Sequence, residues 1–397
     1  FDNEKTDEPV MRSAFVVMDI TDPEKAPKVL AELAFPDLGF TTSFPTVAIF
    51  KDRGDISPVP SPVTNDWYLV LGSGPYDSTA GGARGNALFN ATSDQAAKVY
   101  MIDLVELAKN GDLKVINESK GVETGADNAV PFATLDNNAF VSDLVTADFD
   151  LDYRADAVYF GTVAGDFSNG WGGKLRRLVF ENDSEPLEWE NDSVLIDLDG
   201  VHDGQPITAA PSISISKNNS TGIDDRWIFF GTGRFFNRKD VEVADQQTYY
   251  GIKEPVDTAN DSFTWAEVDS DKLLDTSNAR VFEDGFTVFT DHNDTSTLTN
   301  FNSLVARMQI QDSTESDFYA GWKLDFSAPL ERNIGQAALL GELLTFTTYL
   351  PAEDICTIEG NSNLYALSFT TGTAFKKSVI GFTEITTTED RDGDETT

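Results

Sequence analysis

Cysteine is almost missing from this chain: Cys356 is the only one in 397 residues. That excludes an internal disulfide framework and any multi-cysteine metal site. Histidine is nearly as scarce, with His202 and His292 alone, which leaves little room for imidazole-based acid–base chemistry. No Gly-x-Ser-x-Gly elbow, Walker loop or His/Cys cluster is present, so the expectation is a protein that is not an enzyme. No run of about 18 apolar residues occurs, which excludes a transmembrane helix. Basic residues are few, 29 against 67 acidic, for a formal net charge of -38. Phosphate binding needs a Lys/Arg surface, so nucleic acid is not an expected partner. Anionic membrane surfaces are disfavoured for the same reason. The polar start Phe1-Asp2-Asn3-Glu4-Lys5 has no signal-peptide pattern, and the chain reads as a piece of something longer.

What is there is β-sequence. Short β-branched and aromatic runs alternate with Gly, Asp, Asn and Pro clusters, which predicts an all-β chain. Gln95–Lys109 is the one stretch that could pass as an amphipathic helix, and Val99–Leu104 within it also reads as a strand. Three strand types recur. The first is Phe15-Val16-Val17-Met18-Asp19-Ile20 and Val99-Tyr100-Met101-Ile102-Asp103-Leu104. Weaker copies of it stand at 174–178, 248–252, 321–326 and 363–367. The second ends in glycine: Trp67–Gly74, Ala157–Thr162 and Trp227–Gly233. The third precedes two of those, at Phe44–Ile49 and Ala210–Ile215. An apolar strand, a Gly-ended strand, a Tyr-x-Leu-Asp-like strand and a more polar outer strand together suit one blade of a β-propeller. The glycines fit places where neighbouring backbones crowd together. Asp269–Ser277 and Asp291–Asn300 read as acidic loops, and Lys253–Asn300 is the poorest in strand signal. Residues 1–383 are assigned to the propeller. The Thr/Asp/Glu-rich stretch 384–397 is expected to be a disordered acidic tail.

Most of the acid reads as a solvated shell. One segment is more specific. In Asp148-Phe149-Asp150-Leu151-Asp152-Tyr153-Arg154-Ala155-Asp156 the carboxylates fall at positions 1, 3, 5 and 9. Calcium takes six to eight oxygens, and alternate residues of a tight loop can turn inward to supply them, with position 7 offering its backbone carbonyl. The predicted ligands are Asp148, Asp150, Asp152, Asp156 and the carbonyl of Arg154. Four carboxylates held this close would repel one another without a cation. Two features depart from an EF-hand loop: Tyr153 stands where glycine is usual, and position 12 is Tyr159 rather than a bidentate Glu. The competing reading is an acidic turn in a very acidic protein. Asp197–Asp203 and Asp291–Asp294 are weaker cation candidates. Trp67 and Trp227 are expected to serve core or inter-blade packing rather than a ligand platform, and Asn-x-Ser/Thr sequons stand at Asn90, Asn182, Asn191 and Asn293.

In their order, these elements resemble the C-terminal propeller of the PilC/PilY family, the tip-located adhesin and assembly factor of type IV pili. The strand entering Asp19-Ile20-Thr21-Asp22-Pro23, the Gly-x-Gly strand at 67–74, the loop 148–156 with Val158–Gly161 after it, Gln205–Pro211, Phe230–Phe235, Gln247–Ile252, Thr345–Pro351 and Leu364–Leu367 carry the resemblance. It runs from about residue 15 to 375. It implies a propeller of seven blades, modified by long loop insertions and incomplete at its start. It also implies calcium binding, and export through the periplasm to the cell surface at the pilus tip. Minor pilins would be partners there, host or abiotic surfaces contacts, and pilus assembly and retraction control the work. Two other readings stay open: a quinoprotein-type propeller dehydrogenase, and a propeller binding module without a pilus role.

Overall fold

The computed structural model describes residues 13–51, 65–83, 85–116, 122–124, 130–180, 192–200, 204–218, 221–243, 245–289, 298–352, 360–377 and 379. Cys356, His202, His292, the sequons at Asn182, Asn191 and Asn293, and the stretch 384–397 lie outside the described residues.

The chain is mostly β and divides into two compact units. One comprises Phe1–Val194, Leu198–Ala210 and Phe235–Asp240, the other Leu195–Asp197, Pro211–Arg234 and Val241–Thr397.

The first unit opens with an antiparallel hairpin, Phe15–Asp19 with Lys28–Leu33. The first large sheet then runs, each strand antiparallel to the last, through Thr46–Lys51, Asn65–Gly72, Lys98–Asp103, Lys114–Ile116 and Val122–Thr124. The second sheet places Ala157–Asp166 between Ala139–Ala147 and Lys174–Val179. Alternation along a strand sends neighbouring side chains to opposite faces, and the first sheet buries both. Val99 and Met101 join Val70 and Ile116 in a core shared with Val141, Val158, Phe160 and Leu178 of the second sheet. Tyr100 and Ile102 turn the other way, onto Leu33, Phe35 and Leu38 beside the hairpin. Lys98–Asp103 is therefore apolar at four successive buried positions, as a strand between two layers must be.

In the second unit the third sheet runs antiparallel through Ser212–Ser216, Asp225–Gly231, Thr248–Lys253 and Gly321–Asp325. Leu273–Asp275 adds to its edge in parallel. Asp269–Ser277, expected to be an acidic loop, thus holds a short strand, because Leu273 and Leu274 bury against the core. The fourth sheet is Ala338–Leu340, Leu343–Leu350 and Asn361–Ser368. Trp227, Phe229, Trp322, Phe346 and Phe369 dominate the core between these sheets. Trp227 is fully buried, whereas Trp67 is 44% exposed and does not join the core.

One joint repeats three times. Each Gly-ended strand continues into a fully buried hydroxyl residue: Gly72-Ser73, Gly161-Thr162 and Gly231-Thr232. Each hydroxyl accepts from the first amide of the next strand, Lys98 (2.9 Å), Lys174 (3.0 Å) and Thr248 (2.9 Å). The carbonyl of the same residue accepts from the segment entering the following repeat, at Val141 (2.9 Å), Ile207 (3.2 Å) and Asn333 (2.9 Å). A Cβ on the glycine would stand 2.3–2.4 Å from those same three residues. Only glycine leaves room for the strands to be bonded this closely.

Helices are few. The stretch that read two ways resolves into both: the strand Lys98–Asp103 ends directly in the helix Leu104–Asn110, with Asp103 as N-cap and Gly111 closing the other end at φ +74°. A second helix, Phe301–Met308, starts at the Asn300 cap. Among the described residues, no helix is long and apolar enough to cross a membrane.

Candidate metal loop

The loop 148–156 closes the hairpin between Ala139–Ala147 and Ala157–Asp166, and its end is pinned from three sides. The Asp156 amide donates to the Ala147 carbonyl (2.9 Å), the Phe180 amide to the Asp156 carbonyl (2.7 Å), and the Ala155 amide to the Ile49 carbonyl (2.9 Å). Phe149 is buried and packs edge-on against Tyr159. Leu151 and Tyr153 point to solvent. Phe149 is thus the apolar anchor of the loop.

Of the five residues predicted as ligands, the structure brings three together. Asp148, Asp150 and Asp156 each offer a carboxylate oxygen within 4.8 Å of the others. Among the described residues no other trio of His, Cys, Asp or Glu comes this close. Backbone amides hold the carboxylates in place. Asp148 accepts from the amides of Asp152 (3.2 Å) and Tyr153 (2.9 Å), Asp150 from Asp152 (3.1 Å), and Asp156 from Phe149 (2.5 Å). Asp152 is turned elsewhere: its carboxylate accepts from the Arg154 amide (2.8 Å) and guanidinium (3.2 Å). The loop therefore carries three converging acids, with the fourth engaged by Arg154.

Leu151 and Tyr153 have φ of +62° and +71°. Glycine suits this region, and a side chain there costs about 1–2 kcal/mol per residue. The tight turn that glycine would ease is thus made with Tyr153 itself. Three hard carboxylate oxygens on a pinned loop suit calcium, which takes oxygen ligands in flexible geometry, with water filling the remaining positions. Of the weaker candidates, Asp199 lies 3.6 Å from the Lys174 ammonium, while 201–203 and 291–294 fall outside the described residues.

The sequence reading passed over Asp77, Asp94 and Asp166, which converge on one groove of the first unit. They come from separate loops, and no local spacing marks them.

No protein-family model matches the chain. Over 366 residues it is 23% identical to the type IV pilus biogenesis factor PilY1 homolog of Xylella fastidiosa, covering 89% of this chain and 22% of that protein. The chain therefore spans about a fifth of the length of this curated relative. In structure it is similar to the crystal structure of the Pseudomonas aeruginosa PilY1 C-terminal domain. That match has a TM-score of 0.53 at 18% identity, over 91% of this chain and 66% of that one. The chain is similar to a PilY1 homolog along nearly all of its length. The structural likeness carries the fold. The resemblance read from ordered PilC/PilY motifs and these two comparisons agree.

Proposed function

We propose that this chain is the calcium-responsive propeller of a type IV pilus biogenesis factor, working at the pilus tip on the cell surface after export through the periplasm. The observation that carries this reading is the continuous alignment over 366 residues with a type IV pilus biogenesis factor. The propeller reading is supported by four successive, mainly antiparallel sheets, two sharing a core within each unit, and by the thrice-repeated Gly-Ser/Thr joint. Seven blades is the count the family resemblance implies.

In this reading Asp148, Asp150 and Asp156 hold the ion, which supplies charge neutralisation. With calcium bound the loop is ordered; without it the carboxylates repel one another and their surroundings loosen. A partner that binds only the ordered loop is thereby controlled by calcium. The partners proposed are minor pilins, with host or abiotic surfaces as adhesion contacts, and the work is pilus assembly with control of retraction. This is a binding and assembly role rather than a catalytic one.

The test is immunoprecipitation of the full-length protein from piliated cells, in calcium and in chelator, with the co-purified chains identified by mass spectrometry. Minor pilins recovered in calcium and depleted in chelator support the proposal. A complex without pilins contradicts the pilus role. Equal recovery in both media contradicts the calcium control.

A further inference from the structure

A polar groove of about 680 Å³ lies wholly within the first unit, inside the range of about 300–1,000 Å³ usual for small-molecule sites. Three carboxylates enter it with their directions fixed. Asp77 accepts from the amides of Thr79, Ala80 and Asn86 (2.8–3.0 Å). Asp94 accepts from the amide and hydroxyl of Ser78 (2.6–2.9 Å). Asp166 accepts from the amides of Ser168 and Asn169 and from the Asn169 side chain (2.7–2.9 Å). Each carboxylate oxygen has two acceptor sites: Asp77, which also accepts from the Thr79 hydroxyl (2.6 Å), is fully engaged, whereas Asp94 and Asp166 are oriented with acceptor capacity to spare. The short helix Gly85–Asn90 adds two side-chain amides on one face, Asn90 donating to Asn86 (3.1 Å). Lys239 donates to Asn90 (3.0 Å) and stands 5.5 Å above the Phe167 ring. Phe167 is 37% exposed at the rim of the groove.

These features select a ligand class. Three carboxylates against one ammonium repel anions, so phosphates and acidic sugars are disfavoured. The three acids do not converge on a point as those of the metal loop do, which argues against a cation cage. Two rings, Tyr76 and Phe167, among amides and carboxylates give few apolar anchors for a peptide. Oriented acceptors, amides that both donate and accept, and an aromatic face fit a molecule with many hydroxyls and an apolar ring face. Little ordering cost remains on binding, because the loops are already tied down.

We infer that this groove binds a neutral or amine-bearing saccharide. The inference rests on neither the metal loop nor the pilus reading.

Calorimetry on the 397-residue chain with chitotriose, a glucosamine trimer and sialyllactose tests it. The first two bind, and sialyllactose binds about tenfold or more weakly than either. Asn86→Ala and Phe167→Ala each weaken chitotriose by about tenfold at an unchanged melting temperature. Phe167 sits on an exposed turn, so Phe167→Ala decides the matter if Asn86→Ala loosens the fold. No binding of the first two probes overturns the inference. So does equal affinity for all three, or unchanged affinity in Phe167→Ala.

Discussion

The first and third sheets share one backbone plan and use it differently at one position. In both, the strand after the Gly-ended one is paired so that its last residue lies opposite an aromatic: Asp103 opposite Tyr68, and Lys253 opposite Trp227. These two positions are equivalent, yet they carry opposite charge. Asp103 caps the N-terminus of the helix that follows it, accepting from the Glu106 amide (2.9 Å). Lys253 meets the other end of a helix: its ammonium donates to the carbonyls of Met308 (2.7 Å), the last residue of Phe301–Met308, and of Ile310 (2.8 Å) just after it. Helix N-termini favour acids and C-termini favour cations. The joint sets the backbone, and the helix end that each sheet receives sets the charge at its strand end.

The shared plan is broken hardest at its glycines. Gly72→Ala and Gly231→Ala place a Cβ 2.4 Å from Val141 and Asn333. Each is expected to cost about 1–3 kcal/mol or more in urea unfolding. Gly335→Ala is the control, with nothing within 4 Å of the added atom, and should stay within about 0.5 kcal/mol of wild type. Equal costs at all three positions would remove the joint from the account.

The difference between the sheets is next. Burial pushes the Lys253 ammonium down to about 8, against the opposing pull of buried Asp225. Below about pH 8 the lysine is charged in both states, and its burial penalty is fully present. Between about 8 and 10.5 the unfolded chain binds more protons, so stability rises with pH. Relative to Lys253→Met, wild type should gain about 2 kcal/mol between pH 7.5 and 10, as read from paired urea titrations. A flat difference would contradict the depressed value. Asp103→Ala, which removes the cap of the helix that follows, should cost about 1 kcal/mol at neutral pH.

The repeating strands were legible because each must be apolar at fixed intervals and must end in glycine where the next segment is bonded to it. Their order within the first and third sheets follows the order of strand types in the sequence. The helix Phe301–Met308 was not read, although Asn300 followed by Phe301, Leu304 and Met308 carries a capped helical period; the acidic residues before it masked the signal. In the metal loop, spacing named the acids but could not show which one Arg154 would engage. The turn of the loop and its backbone amides bring Asp148, Asp150 and Asp156 together, while Arg154 holds Asp152. The groove was invisible in sequence because its acids meet only through tertiary structure.

The second sheet sharpens the comparison at its hairpin. Tyr153 is exposed at φ +71°, so Tyr153→Gly relieves backbone strain and loses little packing. After the entropy that glycine adds to the unfolded chain, a net gain of up to about 1 kcal/mol is expected in thermal unfolding. A loss of stability would show that the tyrosine ring anchors the loop.

Calcium titration calorimetry on wild type, Asp150→Ala and Asp152→Ala tests the central claim most directly. Asp150 is exposed and caps one amide, so its removal spares the fold. Wild type binds one ion at the loop, Asp150→Ala loses about 100-fold or more in affinity, and Asp152→Ala less than about tenfold. No binding by wild type, or a larger loss for Asp152→Ala than for Asp150→Ala, would contradict the three-carboxylate site.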